Sequence, residues 1–241
     1  AAVKLEVHQN VQAVPYDFSE FSPPTHGAKT QTQRDLILRV VQTSFAFSEF
    51  RPGGKARADG AIEALVEAFE VVTLPLGHVL LHQAGKPEDN EVFYIVEAGI
   101  IDFQKDGVTV GQAQVTDWFG EQALLHHQAS KLTVAVGKSL DARGQLMKGT
   151  TLLRLSQKVF RGVLHHFSQK ALEEKRELLA KVDFLKDVLN GDAELVDRMA
   201  STMVREEFKT DETFDVPEAT TFLMVESGEM SMSQIGHASK A

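Results

Sequence analysis

Between Val71 and Leu155 the chain breaks into short β-prone runs: TLPLGHVLLHQ, EVFYIVEAGIIDFQ, VTVGQAQV, KLTVAVGK and GTTLLRLS. Gly77, Gly85, Gly99, Gly107, Gly111, Gly137 and Gly149 punctuate them. Turn signals every 8–12 residues or about that leave room for strands and tight turns and for little else. Short strands rich in β-branched and aromatic residues bury their faces by closing into a small barrel or a double-sheet roll. Phe93, Ile95, Ile101, Phe103, Val134 and Leu153 are the core candidates, and Gly99 and Gly120 belong in turns.

Helical patterns flank this region. RDLILRVVQTSFAF (34–47) places Leu36, Val40, Val41 and Phe45 near helical spacing. FRPGGKARADG (50–60) interrupts it, and a second helix follows with Asp59 as its expected N-cap. The GGK here lacks the spacing of a phosphate-binding P-loop. SQKVFRGVLHHFSQKALEEKRELLAKVDFLKDVL (156–189) has no internal proline, and Phe160, Val163, Leu164, Phe167 and Leu172 form its apolar stripe. Alternating charges at Glu173–Glu177 fit a solvated helix face. Residues 1–35, with Pro15, Pro23, Pro24 and Gly27, are expected to form an extended arm. Its Tyr16, Phe18 and Phe21 alternate with polar residues, as anchors on a partner or on the chain's own surface.

The pattern then restarts. Phe222-Leu223-Met224-Val225-Glu226-Ser227-Gly228 matches Phe93-Tyr94-Ile95-Val96-Glu97-Ala98-Gly99 type for type, as a repeated domain would. The chain of 241 residues is 43% hydrophobic and 24% charged, within the range of globular proteins. Its net charge of −9 makes it a poor binder of nucleic acid and of an anionic membrane leaflet. No apolar run approaches the ~20 residues that span a bilayer. The absence of cysteine excludes disulfides, thiolate catalysis and Cys-type zinc sites. The pairs His126-His127 and His165-His166 do not chelate a metal together, because adjacent helical residues diverge by about 100°. As loop histidines, His126 and His127 are expected in solvent. No catalytic constellation such as G-x-S-x-G or H-E-x-x-H is present, so no enzymatic activity is expected.

Gly77, the acidic Glu88-Asp89-Asn90, the run Phe93-Tyr94-Ile95-Val96-x-x-Gly99 and then Phe119-Gly120-Glu121-x-Ala123-Leu124 resemble a cyclic-nucleotide-binding domain. The nearest likeness is to regulatory subunits of cyclic-AMP-dependent protein kinase, which carry two such domains in tandem. The resemblance implies an α+β fold: a β-roll of the double-sheet jelly-roll type flanked by helices, followed by the start of a second similar domain. It covers residues 36–180 for the first domain and 181–241 for a truncated second one. It implies that FGEQALL is the phosphate-binding loop. Gly120 would let the backbone approach a ligand, Glu121 would accept a ribose hydroxyl, and backbone amides around Gln122 and Ala123 would cradle the phosphate.

The chain departs from that family where the motif continues Pro-Arg-Ala-Ala-Thr-Val. The same positions here read Ala129-Ser130-Lys131-Leu132-Thr133-Val134. Ser130 replaces a guanidinium whose loss costs about 2–5 kcal/mol for a buried charge pair. If Ser130 and Lys131 both lie on a strand, they point to opposite faces, and Lys131 points away from the pocket unless a bulge re-aims it. Three readings stay open: a weakly bound cyclic nucleotide held through Lys131 or a histidine, an uncharged nucleoside, or no ligand. The ligand-contact candidates are Phe119, Gly120, Glu121, Gln122, Ala123, Ser130 and Lys131; no metal or other cofactor is expected. The function implied is that of a non-catalytic regulatory module with a degenerate phosphate loop, with a structural or interaction subunit as the alternative. The expected partner is another protein chain, a kinase catalytic subunit or a larger complex. The arm's Lys29 and Arg34 stand too far apart for a basic inhibitor segment. A cytoplasmic location is expected, or an organelle such as a plastid after removal of a targeting peptide.

Overall fold

The computed structural model describes residues 16–185, 192–206, 208–214 and 223–231. Helix α1 (Gln31–Thr43) starts inside the stretch read as arm, because Thr30 and Gln33 close a capping box on its first turn. The expected helix over 34–47 ends at Thr43. Ser44 takes an extended conformation, and Phe45–Phe50 continue as a 3-10 helix. Arg51 fastens this corner by donating to the carbonyls of Val41 and Ser44. In α2 (Ala61–Ala68) the N-cap is Gly60 at φ 83°, not Asp59. A left-handed residue is needed there, and glycine adopts that conformation without strain.

Eight strands follow: β1 (Glu70–Pro75), β2 (Val79–Leu81), β3 (Val92–Ala98), β4 (Ile101–Lys105), β5 (Val108–Ala113), β6 (Trp118–Phe119), β7 (Thr133–Val136) and β8 (Gly149–Ser156). They form two four-stranded sheets ordered β1-β8-β3-β6 and β2-β7-β4-β5, with every pairing antiparallel. A 3-10 turn, Pro87–Asn90, leads into β3, and the short helix α3 (Glu121–Leu125) separates β6 from β7. Helix α4 (Gln157–Ala180) leaves the roll, capped by Ser156, and α5 (Ala193–Thr202) follows, capped by Asp192.

Strand periodicity divides the core in two. Phe93 and Ile95 face the helices and pack with Phe47, Phe50, Phe69, Leu124, Leu153 and Phe160. Tyr94 and Val96 point the other way and pack inside the roll with Leu81, Ile101, Val134, Val136 and Leu152. The helix-side core is largely aromatic: Phe47 meets Phe93 and Phe160 edge-on, at ring separations of 5.3 and 5.6 Å. Of the core residues expected from sequence, only Phe103 is half-buried rather than buried. Gly99 turns β3 into β4 at φ 94°, and a Cβ there would lie 2.3 Å from Thr150 Oγ1. A third cluster of Leu179, Leu185 and Ala200 joins the end of α4 to α5.

The aromatic arm packs on its own chain. Phe18 stacks on His165 at 5.6 Å, and Phe21 lies against Gly162, both residues of α4. Lys29, its side chain wholly buried, donates to the carbonyls of His26, Gly27 and Glu67, and so caps the end of α2. No helix among the described residues is long and apolar enough to cross a membrane.

Candidate functional site

The loop is built from β6 outward. Trp118 and Phe119 pair with Ile95 and Tyr94 of β3. Phe119 turns into the roll, stacked on Tyr94 at 5.1 Å and edge-on to Phe103 at 5.4 Å. Burial pushes the Tyr94 phenol above its ordinary range, with Arg154 opposing. Gly120 then bends the chain at φ 90°, where a Cβ would meet the Val92 carbonyl at 2.5 Å. Glycine is needed at this position for both its dihedral angle and its lack of a side chain.

Glu121 opens α3. Its Oε1 accepts hydrogen bonds from Ser44 Oγ, at the end of α1, and from Trp118 Nε1 at 3.1 Å. The carboxylate proposed for a ribose therefore already joins the loop to the α1 corner. Gln122 is exposed. Ala123 is buried, and its amide donates to the Gly120 carbonyl at 2.9 Å.

Ser130 and Lys131 lie in a turn before β7 rather than on the strand, so the expected two-face relation does not arise. The reason is local: Ser130 Oγ donates to the Leu132 carbonyl at 2.6 Å and accepts from the Leu132 amide at 3.3 Å, which closes the turn. The Ser130 carbonyl accepts from Ala84 N at 2.8 Å, and Thr133 Oγ1 accepts from Gln83 N at 3.1 Å. The end of β2 is thereby pinned to this loop. The Lys131 side chain is exposed.

The two loop histidines are not solvated. His127 is half-buried, with Nδ1 2.7 Å from Glu91 Oε1 and Nε2 3.6 Å from Glu88 Oε1. His126 is half-buried too, and its Nδ1 has no hydrogen-bond partner. The cause is the Pro87–Asn90 turn, which folds over the loop and fixes it through Asn90 Nδ2 and the Gln128 carbonyl, 2.8 Å apart. Among the described residues no group of three His, Asp or Glu side chains is placed to hold a metal ion.

Residues that sequence reasoning missed hold α3 from behind. Gln157, fully buried, donates from Nε2 to the carbonyls of Ala123 (2.6 Å) and His126 (3.3 Å), and Arg161 donates to that of Leu125 (3.0 Å). A glycine inside an otherwise uninterrupted helix, Gly162, was the available signal that something seats on α4 here.

No protein-family model matches the chain. It resembles cyclic-nucleotide-dependent kinase proteins in sequence. It is 24% identical over 223 residues to the cAMP-dependent protein kinase regulatory subunit of Eremothecium gossypii, covering 92% of this chain and 44% of that one. It is 27% identical over 158 residues to the cGMP-dependent protein kinase of Eimeria tenella, covering 66% of this chain and 14% of that one. The chain thus spans less than half the length of either relative. Among solved structures, the regulatory subunit of a cAMP-independent protein kinase A from Trypanosoma cruzi bound to guanosine is similar at TM-score 0.44 and 20% identity. That match covers 73% of this chain and 55% of the other. In sequence, the resemblance to a kinase regulatory subunit extends beyond the motifs to 223 residues of the chain.

Proposed function

We propose that this chain is a non-catalytic regulatory module of the cyclic-nucleotide-binding type, related to protein kinase A regulatory subunits, whose loop does not grip a cyclic phosphate tightly. Residues 36–180 form the first unit in this reading, and 181–241 begin a second. The observation that carries it is Ser130: where a guanidinium would meet the phosphate, a hydroxyl closes its own turn on Leu132. Lys131, next to it, points into solvent. A neutral hydroxyl does not replace a bidentate, permanently charged donor. The ligand contacts in this reading are Phe119, Gly120, Glu121, Gln122, Ala123, Ser130 and Lys131. The partner is a protein chain of the kinase catalytic-subunit class, in the cytoplasm or an organelle.

A second reading, an interaction subunit that keeps the roll without a ligand, is favoured by Glu121, whose carboxylate is engaged by Ser44 and Trp118. Calorimetry of the full chain against cyclic AMP, cyclic GMP, inosine and guanosine separates the two. Heat with a nucleoside or a weak cyclic-nucleotide signal fits the first reading, and no heat with any of the four fits the second. Nanomolar binding of cyclic AMP overturns the claim of a degenerate loop.

A further inference from the structure

We propose that the aromatic arm Tyr16–Phe21 is a strap that holds α3, and with it the loop of the candidate site, in place from outside the roll. Its consequence for ligand binding rests on the reading above; the mechanical coupling does not.

The arm has a built seat. A Cβ at position 162 would lie 2.3 Å from Phe21 Cε2, so the aromatic ring occupies the space that any other side chain on α4 would take. Phe18 stacks on His165, one turn further along the same helix face. The Tyr16 ring lies under the Arg161 guanidinium at 5.8 Å. Its hydroxyl is 3.1 Å from Glu91 Oε2 and 3.2 Å from Gln157 Oε1.

Three of these supports have a second role. Gln157 meets the Tyr16 hydroxyl with its Oε1 and the carbonyls of Ala123 and His126 with its Nε2. Arg161 covers the Tyr16 ring and donates to the Leu125 carbonyl. Glu91 meets Tyr16 with one oxygen and His127 with the other. Each touches the arm on one side and the 123–127 segment on the other. A helix of five residues does not hold itself together: the His126 amide meets the Gln122 carbonyl, and the carbonyls of Ala123, Leu125 and His126 take side-chain donors. Side chains oriented by the arm supply those donors. Undocking the arm frees the Gln157 amide and the Arg161 guanidinium to turn away, and α3 loosens.

The test needs no ligand. Hydrogen exchange is measured on the full chain for wild type, Phe21→Ala and Tyr16→Phe, together with the emission of Trp118, the chain's one tryptophan, whose indole donates to Glu121. Phe21→Ala is expected to speed exchange at 16–21 and at 121–127 by about tenfold or more and to shift Trp118 emission, with β3 and β8 unchanged. Exchange that rises at 16–21 while 121–127 and Trp118 stay as in wild type overturns the strap. So does a variant whose 16–21 segment remains protected, since Phe21 is then not the anchor. Should Phe21→Ala disturb β3 or β8, Tyr16→Phe decides, because it removes a single hydroxyl: faster exchange at 123–127 supports the coupling, and none refutes it. If the variants loosen α3 while no nucleoside or cyclic nucleotide gives heat with wild type, the strap stands and the ligand reading fails.

Discussion

At the scale of single residues, Gly120 and Ser130 separate what the loop keeps from what it has lost. Gly120 combines φ 90° with a Val92 carbonyl 2.5 Å from where a Cβ would sit. Gly120→Ala should cost at least about 1–3 kcal/mol, the range for a residue forced into a sparsely populated conformation; a urea denaturation midpoint measures it. Ser130→Arg tests the other half. The substitution gives up the Leu132 turn but restores a guanidinium, and cyclic AMP affinity should rise by up to about 2–5 kcal/mol of binding free energy. Calorimetry showing no gain in a folded variant would mean that more than the arginine is missing. The glycine and the missing arginine were legible in the sequence because both are properties of one position. The engagement of Glu121 was not, because Ser44 lies 77 residues away, and the packing of the 3-10 helix Phe45–Phe50 against α3 brings the two together. His127 was misread for the same reason: a loop histidine is solvated until a distant acidic turn folds over it.

At the scale of elements, periodicity gave the strands, and Pro and Gly gave their limits. What it did not give is which element leans on which. Phe93 and Tyr94 look alike in a β-prone run, yet one packs under the helices and the other inside the roll. The arm shows the same limit, since alternating aromatics do not say whether they seek a partner or their own α4. Its docking should depend on pH. Burial first, and then the Glu91 carboxylate, pushes the Tyr16 phenol up, with Arg161 opposing. A phenol whose folded value is raised binds its proton more tightly in the folded state. Its contribution is therefore complete below the ordinary value of about 10 and is lost as pH rises through the higher folded value. Limited proteolysis of the arm should accelerate above about pH 10 in wild type. Tyr16→Phe should lack that step, having no proton to lose. An identical alkaline profile in both proteins would assign the release to another group.

At the scale of the whole molecule, the roll and the described residues after it are joined by α4 and by one small apolar cluster. The two roll cores draw on residues from Leu36 to Ala171, whereas the third cluster is Leu179, Leu185 and Ala200 with partly buried neighbours. Among the described residues, polar ties add to it. Lys175 donates to the Met203 carbonyl at 2.8 Å, Arg176 pairs with Asp197 at 2.7 Å, and Arg205 approaches Glu174 at 3.5 Å and Asp59 at 3.7 Å. Solvent-accessible pairs of this kind contribute about 0–1 kcal/mol each. The repeat read from sequence reaches this region only in part. Phe222 lies outside the described residues, Leu223–Gly228 form no strand, and Gly228 takes φ 84° where Gly99 takes 94°. Met224 packs against the third cluster, but Leu223, Val225 and Met230 are exposed, and Phe208 stacks on Phe214 at 4.3 Å. Local turn chemistry can repeat without the long-range pairing that makes a sheet, because pairing needs partners from elsewhere in a chain. The two parts should consequently melt separately. Scanning calorimetry of the full chain should show a weak early transition and a stronger late one. Removing residues 183–241 should abolish the first and move the second by no more than about 4 °C, the shift that ~1 kcal/mol produces in a protein of this size. A single cooperative transition that collapses on truncation would show that the segment after α4 supports the roll, and that the division of the cores at Ala171 does not divide the molecule's stability.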